Sequence, residues 1–159
     1  MTTILTAAVI LLVLILLVAL CVIHKHTPRK KITEELKREI LSMGLIHFTN
    51  YDNAIQIQKE GLVPQESKAI SKSEKNMVWM YLNNEKQFRD KWEIIQKKGD
   101  RKNYDKCVII QGIQDKQIEQ MRYRKSDMAI VHMGILKTED MTVKTIVELL
   151  EKGEDYYDN

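Results

Sequence analysis

Cysteine is almost absent from this chain of 159 residues: Cys21 and Cys107 are the only two. Two isolated thiols provide neither a disulfide framework nor a metal quartet, and they fit a reducing compartment. Glycine occurs six times and proline twice, so there is no low-complexity linker. There is also no Gly-rich phosphate loop, no Gly-x-Gly-x-x-Gly fingerprint and no nucleophile elbow. Charge is missing from the N-terminus altogether: the first charged side chain is Lys25.

That last absence is the most informative. From Ile4 to Ile23 almost every residue is Leu, Ile, Val or Ala, and a helix of this length covers the roughly 30 Å hydrocarbon core of a bilayer. A cleaved signal peptide would need a basic start, a shorter apolar core and a small-residue cleavage site. Met1-Thr2-Thr3 has no basic side chain, and Leu20 is too bulky for a lipoprotein-type site before Cys21. Residues 1–23 are therefore expected to be an uncleaved transmembrane anchor. The following His24 to Lys31 carries Lys25, Arg29, Lys30 and Lys31 and no acid. Such a flank stays cytoplasmic and lies against anionic headgroups, which predicts a single-pass protein with a cytosolic C-terminal part and lipid as partner through residues 1–31.

The flank also accounts for the net charge of +3. With its four basic residues set aside, 21 of the 25 Lys and Arg remain against 22 acidic residues. A near-neutral remainder gives no strong nucleic-acid signal. Residues 24–44 read as the juxtamembrane segment with a linking helix, 45–153 as one small α+β domain, and 154–159 as an acidic tail.

Thr33 can cap a helix to Met43, with Ile32, Leu36 and Ile40 spaced four apart. Strands are expected at Leu45–Thr49, Met77–Leu82, Lys106–Gln111 and about Asp127–His132. Helices are expected from Asn50 to Gly61, from Asn83-Asn84 to Gly99, around Lys116–Gln120, and over a last segment holding Val143, Ile146, Val147 and Leu150. Gln65–Asn76 reads as a polar loop. His24 and His26 lack a third ligand, so no metal site is expected. Cys107 sits in an apolar run and reads as a buried, inert thiol.

Strand alternation places His47 and Thr49 on one face and Ile46 and Phe48 on the other. Trp79 and Tyr81 likewise oppose Val78, Met80 and Leu82. If the polar and aromatic faces coincide, the two strands line a cleft above a core. The plain alternatives are a structural histidine and half-buried aromatic packing.

One segment is more specific. Leu45-Ile46-His47-Phe48-Thr49-Asn50 is followed by Asn53 to Ile57, by Glu60-Gly61-Leu62-Val63-Pro64, and by Val78-Trp79-Met80-Tyr81-Leu82. This resembles the opening of ADP-ribosyltransferase-like domains, particularly the DNA-targeting toxins of the DarT group and, more distantly, RNA 2′-phosphotransferases. The resemblance is best over Leu45–Leu82, loose over Lys106–Met141, and excludes the anchor. It implies an ADP-ribosyltransferase-like mixed sheet with NAD as substrate. His47, with Thr49 beside it, would contact a ribose hydroxyl, and Tyr81, or Trp79 in the other register, would stack on nicotinamide. The family's late strand glutamate is missing from Ser126–His132. Asp127 at the start of that strand and Glu139 in Lys137-Thr138-Glu139-Asp140 are the candidate catalytic acids, although Glu139 also reads as the first turn of a capped helix. Arg122 and Arg124 are candidate phosphate contacts.

The resemblance implies a membrane-anchored, NAD-dependent ADP-ribosyltransferase acting on a cytosolic macromolecule. The alternative is an inactive domain of that fold, binding a nucleotide or partner protein in a toxin–immunity or phage-defence setting. The third reading is a membrane scaffold.

Overall fold

A computed structural model describes residues 10–16, 29–64, 76–99 and 103–152. Residues 10–16 are helical, with their apolar side chains exposed. Among the described residues no helix is long and apolar enough to cross a membrane. The rest of the expected anchor, residues 24–28 of the flank, most of the polar loop and the acidic tail lie outside them.

The helix caps act as the sequence predicts at Thr33, Asn50 and Asn84. Thr33 Oγ1 accepts from the Leu36 N–H at 3.2 Å and opens α1 (Glu34–Met43), whose Glu34 and Glu35 face the positive end of the helix dipole. Gly44 ends it at φ +75°, where an added Cβ would lie 2.5 Å from the Ile110 carbonyl oxygen. Asn50 caps α2 (Tyr51–Glu60) and Asn84 caps α3 (Glu85–Lys97), each through its side-chain oxygen. A short α4 (Asp115–Glu119) and a C-terminal α5 (Ile146–Lys152) complete the described helices of the domain. Thr145 and Glu148 open α5 by exchanging side-chain-to-backbone hydrogen bonds at 3.0 and 2.7 Å.

Seven strands form one sheet: β1 (Lys30–Lys31), β2 (Leu45–Thr49), β3 (Met77–Leu82), β4 (Lys106–Gln111), β5 (Met121–Arg124), β6 (Ala129–Met133) and β7 (Asp140–Thr145). Their order is β1-β5-β6-β3-β2-β4-β7, and every neighbouring pair is antiparallel. The domain is thus α+β, as its sequence predicts, but the sheet is antiparallel throughout and not the mixed sheet that the resemblance implies.

Two differences stand out. The expected last helix begins only at Ile146, because Asp140–Thr145 pairs along its whole length with β4. Alternating Met141 and Val143 pack on the core there, and the β-branched Thr142, Val143 and Thr145 favour that pleated surface. Glu139 consequently precedes a strand, not a helix. The strand expected from Asp127 starts at Ala129, since Lys125–Asp127 form a 3-10 turn closed by Met128 at φ +53°. That turn joins β6 to β5, a strand that no run of apolar residues marks in the sequence.

Both faces of the sheet are covered. On one, Leu45, Val78, Met80, Leu82, Val108 and Ile110 pack with Ile40, Ala54 and Ile57 from α1 and α2. On the other, Ile46, Phe48, Tyr81, Cys107 and Ile109 pack with Phe88, Ile95, Ile146 and Leu149 from α3 and α5.

Candidate functional site

Strands β2 and β3 pair at only two positions, Leu45 with Leu82 and Ile46 with Tyr81. Beyond these the sheet forks. β2 runs on against β4 as far as Thr49 opposite Lys106, while β3 runs against β6 from Met80 opposite Ile130 to Met77 opposite Met133.

His47 stands where the strands part. Its Nδ1 lies 2.7 Å from the Trp79 carbonyl oxygen. A carbonyl only accepts, so Nδ1 carries the proton. Burial holds the imidazole below its ordinary pKa, with the Trp79 bond opposing. The ring is therefore neutral at physiological pH, and Nε2 keeps its lone pair. His47 has no second hydrogen-bond partner among the described residues. The sequence thus supplies a fixed tautomer whose remaining nitrogen is able to accept from a hydroxyl or amide.

The expected single cleft face is corrected here. Cross-strand partners share a face, so Leu82, Met80 and Val78 lie with Leu45 and, by alternation, with His47 and Thr49. Trp79 and Tyr81 belong to the opposite face with Ile46 and Phe48. Leu45 is an apolar residue on the His47 face, and both faces of the sheet are packed. Trp79 links the two sides: its carbonyl holds His47, and its ring lies on the far face. Thr49 is buried at the end of β2.

The far face carries a cluster of charge on aromatic rings. The Arg124 guanidinium sits 4.3 Å from the Trp79 ring centroid, and Lys91 Nζ sits 4.8 Å from that of Tyr81. Tyr81 is buried, with Phe48 edge-on to it at 6.1 Å. Asp127 grips Arg124 through both carboxylate oxygens, at 2.8 and 2.5 Å. Burial pushes the Tyr81 phenol up, and the nearby Asp127 adds to this. Burial pulls the Lys91 ammonium down, while Asp127 and Tyr104 oppose and Arg124 assists. These directions place Tyr81, Lys91, Tyr104, Arg124 and Asp127 in one electrostatic neighbourhood.

The structure therefore gathers Trp79, Tyr81 and Asp127, joins His47 to them through the Trp79 backbone, and leaves Glu139 apart. Glu139 is exposed just ahead of β7. β7 lies four strand spacings from β6, or about 19 Å.

Lys91 was not anticipated. It falls three residues after Phe88 and four before Ile95, on the inward side of α3, and a cation inside an apolar 3–4 pattern is the signal that marks it. Trp92, one residue on, has a buried indole N–H without a hydrogen-bond partner among the described residues. Cys107 is buried, and burial pushes its thiol up to about 12. No group of His, Cys, Asp and Glu suited to a metal ion occurs among the described residues. In comparisons with known proteins, no family model, curated protein or solved structure matches this chain.

Proposed function

We propose that this chain is a membrane-anchored, ADP-ribosyltransferase-like protein whose domain binds NAD at the β2–β3 fork. The observation that carries the reading is the fixed His47 tautomer: Nδ1 is committed to the Trp79 carbonyl, leaving Nε2 to accept from a ribose hydroxyl. The fork falls within the segment that resembles the family, and the aromatic residues of that motif lie on the strand that leaves it. The cation-accepting rings of Trp79 and Tyr81 lie on the opposite face from His47, so a flat cationic heterocycle reaches them only through the fork and by displacing Arg124 or Lys91.

Binding is better supported than transfer. Ribosyl transfer needs a carboxylate facing the positive charge that develops as nicotinamide leaves. Asp127 is the acid of this site, and both its oxygens are engaged by Arg124. Transfer to a cytosolic macromolecule is the second reading, and it requires the ligand to separate that pair.

The test is NAD titration of the full chain in detergent micelles, followed by Trp79 fluorescence in a Trp92→Phe background, and then a nicotinamide-release assay. Saturable quenching with no release supports the binding domain. Release supports the transferase, and no binding at millimolar NAD removes both.

A further inference from the structure

The strand nearest the anchor sequence is also the outermost strand of the sheet. β1 pairs with β5, Lys30 opposite Tyr123 and Lys31 opposite Arg122. Continuing that antiparallel register puts Arg29 level with Arg124, so the chain enters the domain beside the Arg124–Asp127 pair. Six residue steps separate Arg29 from Ile23, where the apolar run ends, a reach of no more than about 20 Å.

The edge is basic. Lys30, Lys31 and Lys125 are exposed, and Arg29 and Arg122 are half-buried. Arg122 donates to the Glu119 and Met121 carbonyls. The acids close to it in sequence are Glu119, Glu34 and Glu35, besides Asp127 on Arg124. Lys31 and Arg122 are like charges directly opposite one another, a pairing that destabilises an isolated sheet edge and that a facing anion relieves.

We propose that the β1–β5 edge, with the Lys125 turn, docks on the anionic headgroups of the bilayer that holds the anchor. The Arg124–Asp127 end of the site then opens at the membrane surface, which selects membrane-bound targets over freely diffusing ones. Lipid is favoured over nucleic acid because the chain beyond the flank is near neutral, 21 basic against 22 acidic residues. The inference rests on the anchor reading but is tested separately from it.

The full chain is reconstituted into vesicles of phosphatidylcholine alone, and of phosphatidylcholine with roughly a third phosphatidylserine to supply a physiological surface potential. Amide hydrogen exchange is followed in both. Phosphatidylserine should slow exchange at least about twofold in the Lys30–Lys31 and Met121–Asp127 peptides and leave the opposite edge, Asp140–Thr145, unchanged. A Lys31→Gln/Lys125→Gln variant should lose that protection while still floating with neutral vesicles. Equal exchange in the two vesicle types overturns the proposal, as does undiminished protection in the variant or protection of Asp140–Thr145. If the wild-type chain does not float with neutral vesicles, the anchor reading fails. The docking surface is then judged on added phosphatidylserine vesicles, where each lost charge should weaken partitioning about fivefold. Protection of the same peptides by duplex DNA without lipid assigns the edge to nucleic acid and also overturns the proposal.

Discussion

Replacing His47 with alanine tests the fork at its narrowest point. The substitution removes the donor to the Trp79 carbonyl, 2.7 Å away, and leaves that oxygen on a strand that has already parted from its neighbour. An orphaned, partly buried acceptor costs about 1–3 kcal/mol, so urea denaturation at pH 7.5 should show a loss of that size. The pH dependence separates this from generic cavity damage. The folded-state pKa of His47 lies below its ordinary value, so the unfolded chain takes up the proton first as pH falls. The contribution of the neutral ring is complete above about pH 6.5 and declines below it, at up to about 1.4 kcal/mol per pH unit for one proton. His132 is also held low by burial, so His132→Gln serves as the comparison. Urea midpoints for wild type, His47→Ala, His132→Gln and the double variant, measured from pH 5 to 8, give the answer. Wild type should be steepest, and each single variant should lose part of the slope. A His47→Ala protein with wild-type stability and an unchanged slope would refute both the hydrogen bond and the tautomer derived from it.

Asp127→Ala should leave NAD binding within about threefold and, if nicotinamide is released at all, lower turnover a hundredfold or more, since an electrostatic partner acts mainly in the transition state. Gly44→Ala should destabilise by about 2 kcal/mol or more, because it places a Cβ 2.5 Å from the Ile110 oxygen at φ +75°; a thermal melt within 1 °C of wild type would contradict this. Cys107, with its thiol pushed up to about 12, should not react with a disulfide reagent at pH 8.5 in the native state and should react fully in denaturant. In a Cys21→Ser background, a cysteine replacing Asn159 should resist an impermeant thiol reagent in intact cells if the proposed anchor holds; ready labelling would overturn the orientation expected from Lys25 to Lys31.

The parts of the fold legible in the sequence are those fixed by neighbours in the chain. Thr33, Asn50 and Asn84 are caps because a short side-chain oxygen precedes free N–H groups. Leu45–Thr49, Met77–Leu82 and Lys106–Gln111 are dense apolar runs in central positions. β7 was harder to read, because Met141 and Val143 alternate with Thr and Lys and merge into a helical pattern beginning at Ile146; its strand character comes from six partners on β4. β5 is harder still, as Met121-Arg122-Tyr123-Arg124 has one fully buried side chain and owes its conformation to β6. The site follows the same division. The strand positions of His47, Trp79 and Tyr81 are legible as residue types, and Asp127 as an acid beside a strand. Which of them meet is not, because facing depends on the register between β2 and β3 and on the point where they separate. Lys91 joins them only through the docking of α3.

Two rungs, Leu45–Leu82 and Ile46–Tyr81, with the Asn83 N–H donating to the Gly44 carbonyl just beyond them, join a β1-β5-β6-β3 leaf to a β2-β4-β7 leaf. Within each leaf the ladders run four to six rungs, apart from β1. The molecule is therefore a book with a short spine. Side chains of both cores, and the His47–Trp79 bond, add to the join across the seam. The first strand, Lys30–Lys31, belongs to the first leaf, so a force applied at that end reaches the second leaf through this short join, the packed cores and the connecting chain. A small molecule clasped between the leaves would stiffen the spine and make the two halves move as one.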